Sequence, residues 1–161
     1  MFRAVVFLVL AAIGLSACGR VAQPDLPTVT SVYVLKSQRQ LLLLNGNEIV
    51  KSYDFEMGFA PEGHKQFEGD GKTPEGVYYI DRRNPNSQFH LSLGISYPNR
   101  ADYAYAQSQG RLPGGDIFIH GTPRDQLGED DWTAGCIAVT NAEMEEIWSL
   151  VSVGTPIFIM P

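Results

Sequence analysis

The chain of 161 residues has only two cysteines, three histidines and two tryptophans. Lys and Arg number 12 against 18 Asp and Glu, which gives a formal net charge of −6. Proteins that bind nucleic acid normally carry a basic face, so the shortage of positive charge argues against nucleic acid as a partner. The histidines are scattered and form no paired motif such as H-E-x-x-H, which disfavours a zinc site.

Long apolar runs are also missing, and none is long enough to cross a bilayer as a helix. The one pronounced run is residues 4–15, twelve apolar or small residues that follow Arg3. This length is typical of the core of a secretory signal. The stretch Leu15-Ser16-Ala17-Cys18 follows at once, and it is similar to the site at which bacterial lipoproteins are cleaved and acylated.

These features predict an exported protein anchored by lipid on Cys18 to a membrane and facing the periplasm. The alternative is an ordinary signal peptide with an incidental cysteine. The predicted segments are a lipoprotein signal peptide (1–17), the lipidated Cys18 with a tether (18–28) and one domain (29–161).

The rest of the sequence predicts a mainly β structure with two helices, which belongs to the α+β class. Apolar and β-branched runs predict strands over 30–35, 40–44, 48–57, 76–81, 88–96, 116–120, 135–139 and 155–160, with a turn at 84–86 and a loop over 58–75. A helix is expected over 98–109, ended by Gly110. A second is expected over 140–151, because Thr140 and Glu143 have capping-box spacing.

Cys136 is the candidate nucleophile, because a thiol without a disulfide partner in an exported protein calls for a function. It attacks carbonyls only as the thiolate, and an imidazole within hydrogen-bond reach can remove its proton. His120 lies sixteen positions upstream at the end of a predicted strand and is the candidate base. The competing interpretation is a small buried cysteine and a structural histidine.

Two glycines adjoin these residues. Gly135 would let a substrate approach the backbone, so that amides near Cys136 face the oxygen that becomes negative in a tetrahedral intermediate. Gly121 would leave its carbonyl free to hold the tautomer of His120. His64 is expected in the 58–75 loop and His90 on a strand; with carboxylates they provide the alternative of a metal site.

At these positions the sequence resembles the L,D-transpeptidase catalytic domain family, cysteine enzymes of bacterial peptidoglycan. The pattern is His-Gly at a strand end, a loop of about a dozen residues, and then Ser or Thr, His, Gly and Cys. His120-Gly121 and Thr133-x-Gly135-Cys136 match it, and Thr73-Pro74-Glu75-Gly76 matches a Thr-Pro-x-Gly element before a strand. The resemblance covers about residues 29–160 and implies the sandwich-like β fold of that family.

The resemblance also implies a mechanism. Cys136 would attack the carbonyl of the third residue of a tetrapeptide stem, a diamino acid such as meso-diaminopimelate, and release D-alanine. An amine of another stem, or water, would then resolve the thioester. His120 would be the base, the Gly121 carbonyl would orient it, and the Gly135 and Cys136 amides would form the oxyanion hole. No metal or organic cofactor is implied.

Two departures from the family pattern stand out. Ala134 occupies the position of the usual histidine before Gly-Cys, and Ala138 that of the usual arginine after it. A branch with Gly-Cys-Ile-Ala sequences lacks both residues, and it includes members that hydrolyse the bond between peptidoglycan and an attached lipoprotein. The sequence here resembles that branch, so a peptidoglycan-linked lipoprotein is a second candidate partner beside the stem peptides.

Four further residues are candidates for substrate binding. Arg124 could bind a stem carboxylate, Trp132 could wall the site, Thr133 occupies the Ser/Thr position of the motif, and Tyr103 lies on a helix that could cover a peptide groove. Their plain interpretations are a solvated loop charge, a packing aromatic and an amphipathic surface helix. Three functions therefore remain: a transpeptidase, its hydrolytic relative, and a non-enzymatic cell-wall binding module.

Overall fold

Strands dominate the part of the chain that the computed structural model describes, residues 26–161. They are rich in β-branched and apolar residues, as strands usually are. In chain order they are β1 (Ser31–Leu35), β2 (Gln40–Asn45), β3 (Glu48–Asp54), β4 (Gly76–Ser87), β5 (His90–Ile95), β6 (Phe118–His120), β7 (Ile137–Ala138) and β8 (Pro156–Met160). The helices are α1 (Arg100–Ser108) and α2 (Asn141–Leu150). The predicted class, mainly β with two helices, is confirmed.

The expected signal peptide and the expected lipidation at Cys18 lie outside the described residues. From residue 26 onward, neither α1 nor α2 has the length and apolar character that a membrane crossing requires.

The described strands join in one mixed sheet with the order β3-β2-β1-β8-β4-β5-β6-β7. β4 connects two portions of this sheet, because residues 76–79 pair with β8 whereas the remainder of the strand pairs with β5. The second portion ends in the parallel pair β6 and β7. This pairing brings the strand that ends at His120 beside the strand that begins just after Cys136.

The core lies on one face of the sheet, and alternation along the strands selects it. Ile119 on β6 and Ile137 on β7 are register partners, and both are completely buried. α2 packs against β5 and β6 and buries Met144 and Ile147. Because successive side chains point to opposite faces, burial of Ile119 directs the adjacent His120 to the other face.

The predicted start of α2 is confirmed in detail. The Thr140 hydroxyl accepts a hydrogen bond from the Glu143 amide at 3.3 Å, and the Glu143 carboxylate accepts one from the Thr140 amide at 2.9 Å. This reciprocal capping satisfies amides that the first turn of a helix leaves free. The result is a fixed exit path for the chain after Cys136.

Several predicted boundaries differ from the structure, and the strand predicted over 135–139 is shorter because Gly135 and Cys136 precede it. The stretch 84–86 belongs to β4 instead of forming a turn, since Pro85 lies where the other edge of β4 is unpaired and needs no N–H donor. The turn falls at residues 88–89. α1 begins at Arg100 because Asn99 caps it. β3 ends at Asp54, and residues 56–58 instead form bridges to Ala138 and Thr133.

Candidate active site

Cys136 lies immediately before β7, at the end of a loop whose backbone is held from both sides. The Glu56 amide donates to the Ala138 carbonyl at 2.8 Å, and the Phe59 amide donates to the Thr133 carbonyl at 2.9 Å. The Thr133 hydroxyl donates to the Cys136 carbonyl at 2.7 Å. Thr133 is buried, so it holds the nucleophile loop and does not line a substrate surface as predicted.

Gly135 has a structural role that differs from its predicted one. Its φ of +126° is a conformation that side chains rarely permit, and a Cβ there would lie 2.5 Å from the Lys72 carbonyl oxygen. Its amide donates to the Thr133 hydroxyl at 3.2 Å. The amide is therefore engaged within the loop in the absence of a substrate. Glycine is required because the loop presses against the backbone at Lys72.

His120 ends β6 and is buried. Its Nδ1 lies 2.7 Å from the Gly121 carbonyl oxygen, which is the contact expected from the sequence. Because a carbonyl only accepts, Nδ1 carries the proton and Nε2 of the neutral ring is left as an acceptor. Burial lowers the pKa of His120, and the bond to Gly121 opposes this shift. The imidazole is therefore neutral near pH 7.

Strand register places His120 and Cys136 on the same face of the sheet. His120 pairs with Ala138, and Cys136 lies two residues before Ala138. Side chains two apart along an extended chain point the same way, so Cys136 is a diagonal neighbour of His120. Cys136 itself precedes β7, and its thiol makes its hydrogen bond to the Asp116 carbonyl.

The Cys136 side chain is half-buried, and its thiol donates to the Asp116 carbonyl at 3.5 Å. Burial raises the pKa of Cys136, and the nearby Asp116 charge adds to the rise. The Phe118 amide and the Lys65 charge oppose it. With the pKa of Cys136 raised and that of His120 lowered, the resting pair is thiol and neutral imidazole instead of thiolate and imidazolium.

Two aromatic rings enclose the imidazole. Phe89 stacks on His120 with ring centroids 4.6 Å apart and an interplanar angle of 26°. Trp132 meets His120 edge-on, with centroids 5.6 Å apart. Trp132 thus packs against the candidate base, a position that a wall of the site and a packing aromatic would both occupy. Phe89 was not predicted from the sequence. The one sequence feature that could have indicated it is an aromatic residue in the turn before β5, the strand that pairs with β6.

Gly121 allows this enclosure. A Cβ at Gly121 would lie 2.2 Å from Asn141 Oδ1 and 3.0 Å from the Phe89 carbonyl oxygen. The Gly121 amide donates to that same carbonyl at 3.0 Å. The glycine therefore ties the turn that carries Phe89 to the strand end that carries His120.

A polar cleft opens on this face of the sheet. Its volume is about 380 Å³, and its lining residues are Asn84, Asn86, Ser87, Gln88, Phe89, Ser92, Asp116, Phe118 and His120. Asp116 and Phe118 are also the backbone neighbours of the Cys136 sulfur. The base and the surroundings of the nucleophile therefore share one cleft.

A second cleft of about 310 Å³ shares no lining residue with the first. Trp132 lines it, together with Thr122 and Ala138. Four carboxylates contribute to its wall, those of Asp54, Glu56, Glu129 and Glu143. Since Trp132 also touches His120, the imidazole lies between the two clefts.

The structure does not bring Arg124 or Tyr103 to this site. Arg124 lies in the exposed turn Arg124–Gln126, and it lines neither cleft. Tyr103 lines a shallow groove on α1 whose other residues are Pro98, Asn99, Arg100, Ala104 and Gln107. Arg124 was a candidate because it lies in the loop between His120 and Cys136, and Tyr103 because it lies on a helix that could cover a groove; neither side chain lines the two clefts.

The two other histidines each contact a carboxylate. His64 Nε2 lies 3.1 Å from Asp102, and His90 Nε2 lies 2.8 Å from Glu145. Across residues 26–161, no three side chains of His, Cys, Asp or Glu cluster as metal ligands would.

Comparison with known proteins identifies the family. The sequence matches the YkuD family, the L,D-transpeptidase catalytic domain, over residues 30–159. It is 32% identical over 129 residues to YafK of Escherichia coli strain K12, which is provisionally named an L,D-transpeptidase. That match covers 79% of this chain and 44% of YafK, so the chain spans less than half the length of the curated relative. The chain belongs to the L,D-transpeptidase catalytic domain family.

Solved structures agree with this assignment. The helical cell shape determining protein Pgp2 from Campylobacter jejuni has a TM-score of 0.64 and 28% identity, with 81% of this chain and 47% of that chain covered. An L,D-transpeptidase from Xylanimonas cellulosilytica has a TM-score of 0.56 and 16% identity, with coverage of 85% and 63%. The second likeness concerns the fold alone.

Proposed function

We propose that the chain is a cysteine L,D-transpeptidase that forms or exchanges amide bonds in peptidoglycan through a thioester on Cys136. Family membership supports the reaction class. The observation that carries the residue assignment is the His120 ring, fixed at Nδ1 by the Gly121 carbonyl. Its Nε2 is thereby left as a proton acceptor on the sheet face shared with Cys136.

In the first step His120 Nε2 takes the thiol proton while the sulfur of Cys136 attacks the carbonyl carbon of the third residue of a tetrapeptide stem. A tetrahedral intermediate with a negative oxygen forms. It collapses when the C–N bond to the terminal D-alanine breaks, and the proton on His120 passes to the leaving amine. The products are free D-alanine and an acyl-enzyme thioester.

In the second step His120 removes a proton from the amine of another stem, which attacks the thioester carbonyl. The C–S bond breaks, the proton returns to sulfur, and a new amide is released. The cleft with four acidic side chains on the far side of Trp132 supports an amine as the acceptor. Carboxylates there attract the protonated form of the incoming amine.

The oxyanion donor proposed here is the Cys136 amide. The Gly135 amide is engaged by Thr133 and would contribute only if that bond were exchanged for one to the substrate. Removing a single oxyanion donor costs on the order of a hundredfold in rate in other enzymes. With only the Cys136 amide free, acylation of Cys136 should therefore be slow unless the hydrogen bond between the Gly135 amide and the Thr133 hydroxyl breaks.

A hydrolytic relative is the second candidate. It uses the same acyl-enzyme, with water in place of the acceptor amine, and it would release D-alanine or a peptidoglycan-linked lipoprotein. Ala134 is exposed and Ala138 is buried, so neither position supplies a polar group to hold a second stem. This feature favours water, whereas the acidic cleft favours an amine.

Tetrapeptide muropeptides separate these functions in one digest. We expect the purified full chain to release D-alanine and to show an acyl adduct on Cys136 by mass spectrometry. Cross-linked dimers identify a transpeptidase, and tripeptides without dimers identify a hydrolase. A muropeptide that carries a lipoprotein remnant tests the second partner.

Cys136→Ala is the matched control and should abolish both the adduct and the release. Absence of any adduct with the wild-type chain on every stem would leave a cell-wall binding module as the function. We further propose that the protein acts in the periplasm, held at the membrane by lipid on Cys18 with peptidoglycan as its partner.

A further inference from the structure

A charged group beside Cys136 has no part in the proposed reaction. Asp116 accepts the Cys136 thiol with its backbone carbonyl, and its side chain is 90% exposed at the wall of the polar cleft. Its φ of +54° is uncommon for residues other than glycine and is tolerated by Asp and Asn. One residue therefore contacts the nucleophile with its backbone and presents a carboxylate to whatever occupies the cleft.

Arg82 holds this carboxylate in place. Its Nη2 donates to Asp116 Oδ1 at 3.0 Å, and its Nη1 donates to both oxygens of Asp81 at 2.9 and 3.0 Å. The guanidinium carbon lies 4.5 Å from the centre of the Phe118 ring. These contacts engage at most three of the five guanidinium N–H groups, so at least two remain for a ligand.

The sheet is shaped to receive the arginine. Arg82, Gly94 and Phe118 are register partners across β4, β5 and β6. A Cβ on Gly94 would lie 2.5 Å from both Arg82 Cγ and Asp81 Oδ1. The missing side chain at Gly94 therefore provides the space in which Arg82 crosses β5 to reach Phe118 and Asp116.

The charges of Asp81, Arg82 and Asp116 indicate which kind of ligand fits beside them. One guanidinium faces two carboxylates, which leaves one excess negative charge, and Oδ2 of Asp116 accepts no hydrogen bond from the described residues. The other side chains of the cleft are neutral amides, hydroxyls and aromatics apart from His120. A ligand that carries a positive and a negative group side by side complements these three residues better than a ligand with either charge alone.

Given the proposed function, we propose that Asp116, positioned by Arg82, binds the ammonium at the far end of the acyl donor's diamino-acid side chain, and that the free N–H groups of Arg82 face the adjoining carboxylate. The preferred donor is a stem whose third residue ends in an ammonium and a carboxylate on one carbon. The Asp116 carboxylate is separated only by the backbone and methylene of the same residue from the carbonyl that contacts the Cys136 sulfur. A diamino acid with a short aliphatic side chain can therefore place its carbonyl at the sulfur and its far end at the Asp116 carboxylate.

Three synthetic tetrapeptide donors test this assignment with the full chain. They carry meso-diaminopimelate, meso-diaminopimelate acetylated on its side-chain nitrogen, or L-lysine at position three. Asp116→Asn keeps the size and the backbone preference of the residue, so it should fold. Asp125→Asn removes an exposed carboxylate from the turn Arg124–Gln126 and is the matched control.

We expect Asp116→Asn to lower kcat/KM for D-alanine release from the meso-diaminopimelate donor on the order of tenfold, since it loses a hydrogen bond to a charged group. The acetylated donor should be poor for the wild type and little changed by the variant. The L-lysine donor should fall between the two, and Asp125→Asn should match the wild type. Equal losses on all three donors, or no loss on the first, would overturn the assignment.

Two further measurements distinguish substrate binding by Asp116 from a general defect of the site. The Asp116 charge raises the pKa of Cys136, so Asp116→Asn should speed alkylation of the thiol by a neutral reagent even as it slows turnover. A general defect of the site would slow both. Calorimetry on Cys136→Ala, with and without Asp116→Asn, measures discrimination between the first two donors without turnover. Binding that discriminates, combined with no activity in the wild type, would sink the proposed function and leave this subsite standing.

Discussion

Replacement of Gly135 by alanine tests the packing that positions the nucleophile. The backbone at Gly135 has a φ of +126°, and the new Cβ would lie 2.5 Å from the Lys72 carbonyl oxygen. A backbone conformation in such a sparsely populated region costs an L-residue about 1–3 kcal/mol. Overpacking against a part of the structure that cannot move adds about 1–3 kcal/mol. The free energy of unfolding should therefore fall by roughly 2–6 kcal/mol.

Gly46 supplies the comparison that isolates the clash. It lies in the turn between β2 and β3 with a φ of +59°, and a Cβ there would have no neighbour within 4 Å. Gly46→Ala should therefore cost only the backbone term, about 1–2 kcal/mol. Urea unfolding of both variants gives the difference. If Gly135→Ala is no less stable than Gly46→Ala, the contact with Lys72 does not explain the glycine.

Other variants address the chemistry and the anchor. His120→Ala should slow acylation of Cys136 on the order of a hundredfold or more, as loss of a general base usually does; an unchanged rate in single-turnover mass spectrometry would exclude it as the base. Because burial lowers the pKa of His120, and the base must be unprotonated, the acidic limb of kcat/KM should fall below pH 6.5 and activity should rise with pH through it. Phe89→Ala exposes the His120 ring and should move the acidic limb of kcat/KM to higher pH, toward the ordinary histidine value of about 6.5. If the acidic limb stays at the same pH, Phe89 does not desolvate the base. Cys18→Ala should shift the protein from the membrane to the soluble fraction with its activity retained, and continued membrane association would contradict a lipid anchor.

Local features of this chain could be predicted from the sequence because their causes are local. The capping box of Thr140 and Glu143 depends on a spacing of three residues along one helix. The bond from His120 to the Gly121 carbonyl joins adjacent residues.

Features that depend on strand register could not be predicted in this way. The stacking of Phe89 on His120 exists because β5 pairs with β6 and places the preceding turn over the strand end. The arginine that reaches Asp116 does so only because Gly94 lies between β4 and β6. The positions of Arg124 and Tyr103, which line neither cleft, could not be predicted for the same reason, since distance along the chain does not give distance across a sheet.

The resting state of the proposed site explains how the thiol of Cys136 can remain usable between turnovers. A thiolate is the form that oxidants and alkylating agents attack, and burial holds Cys136 in the protonated form by raising its pKa. The neutral His120 beside it is ready to accept the proton but does not take it in advance. In the proposed reaction a bound stem would change this balance, because attack on its carbonyl would move the negative charge from sulfur to an oxygen that an amide can stabilise. The nucleophile would then be generated only where a substrate is present, and the rings of Phe89 and Trp132 that pack on the imidazole would keep it neutral until then.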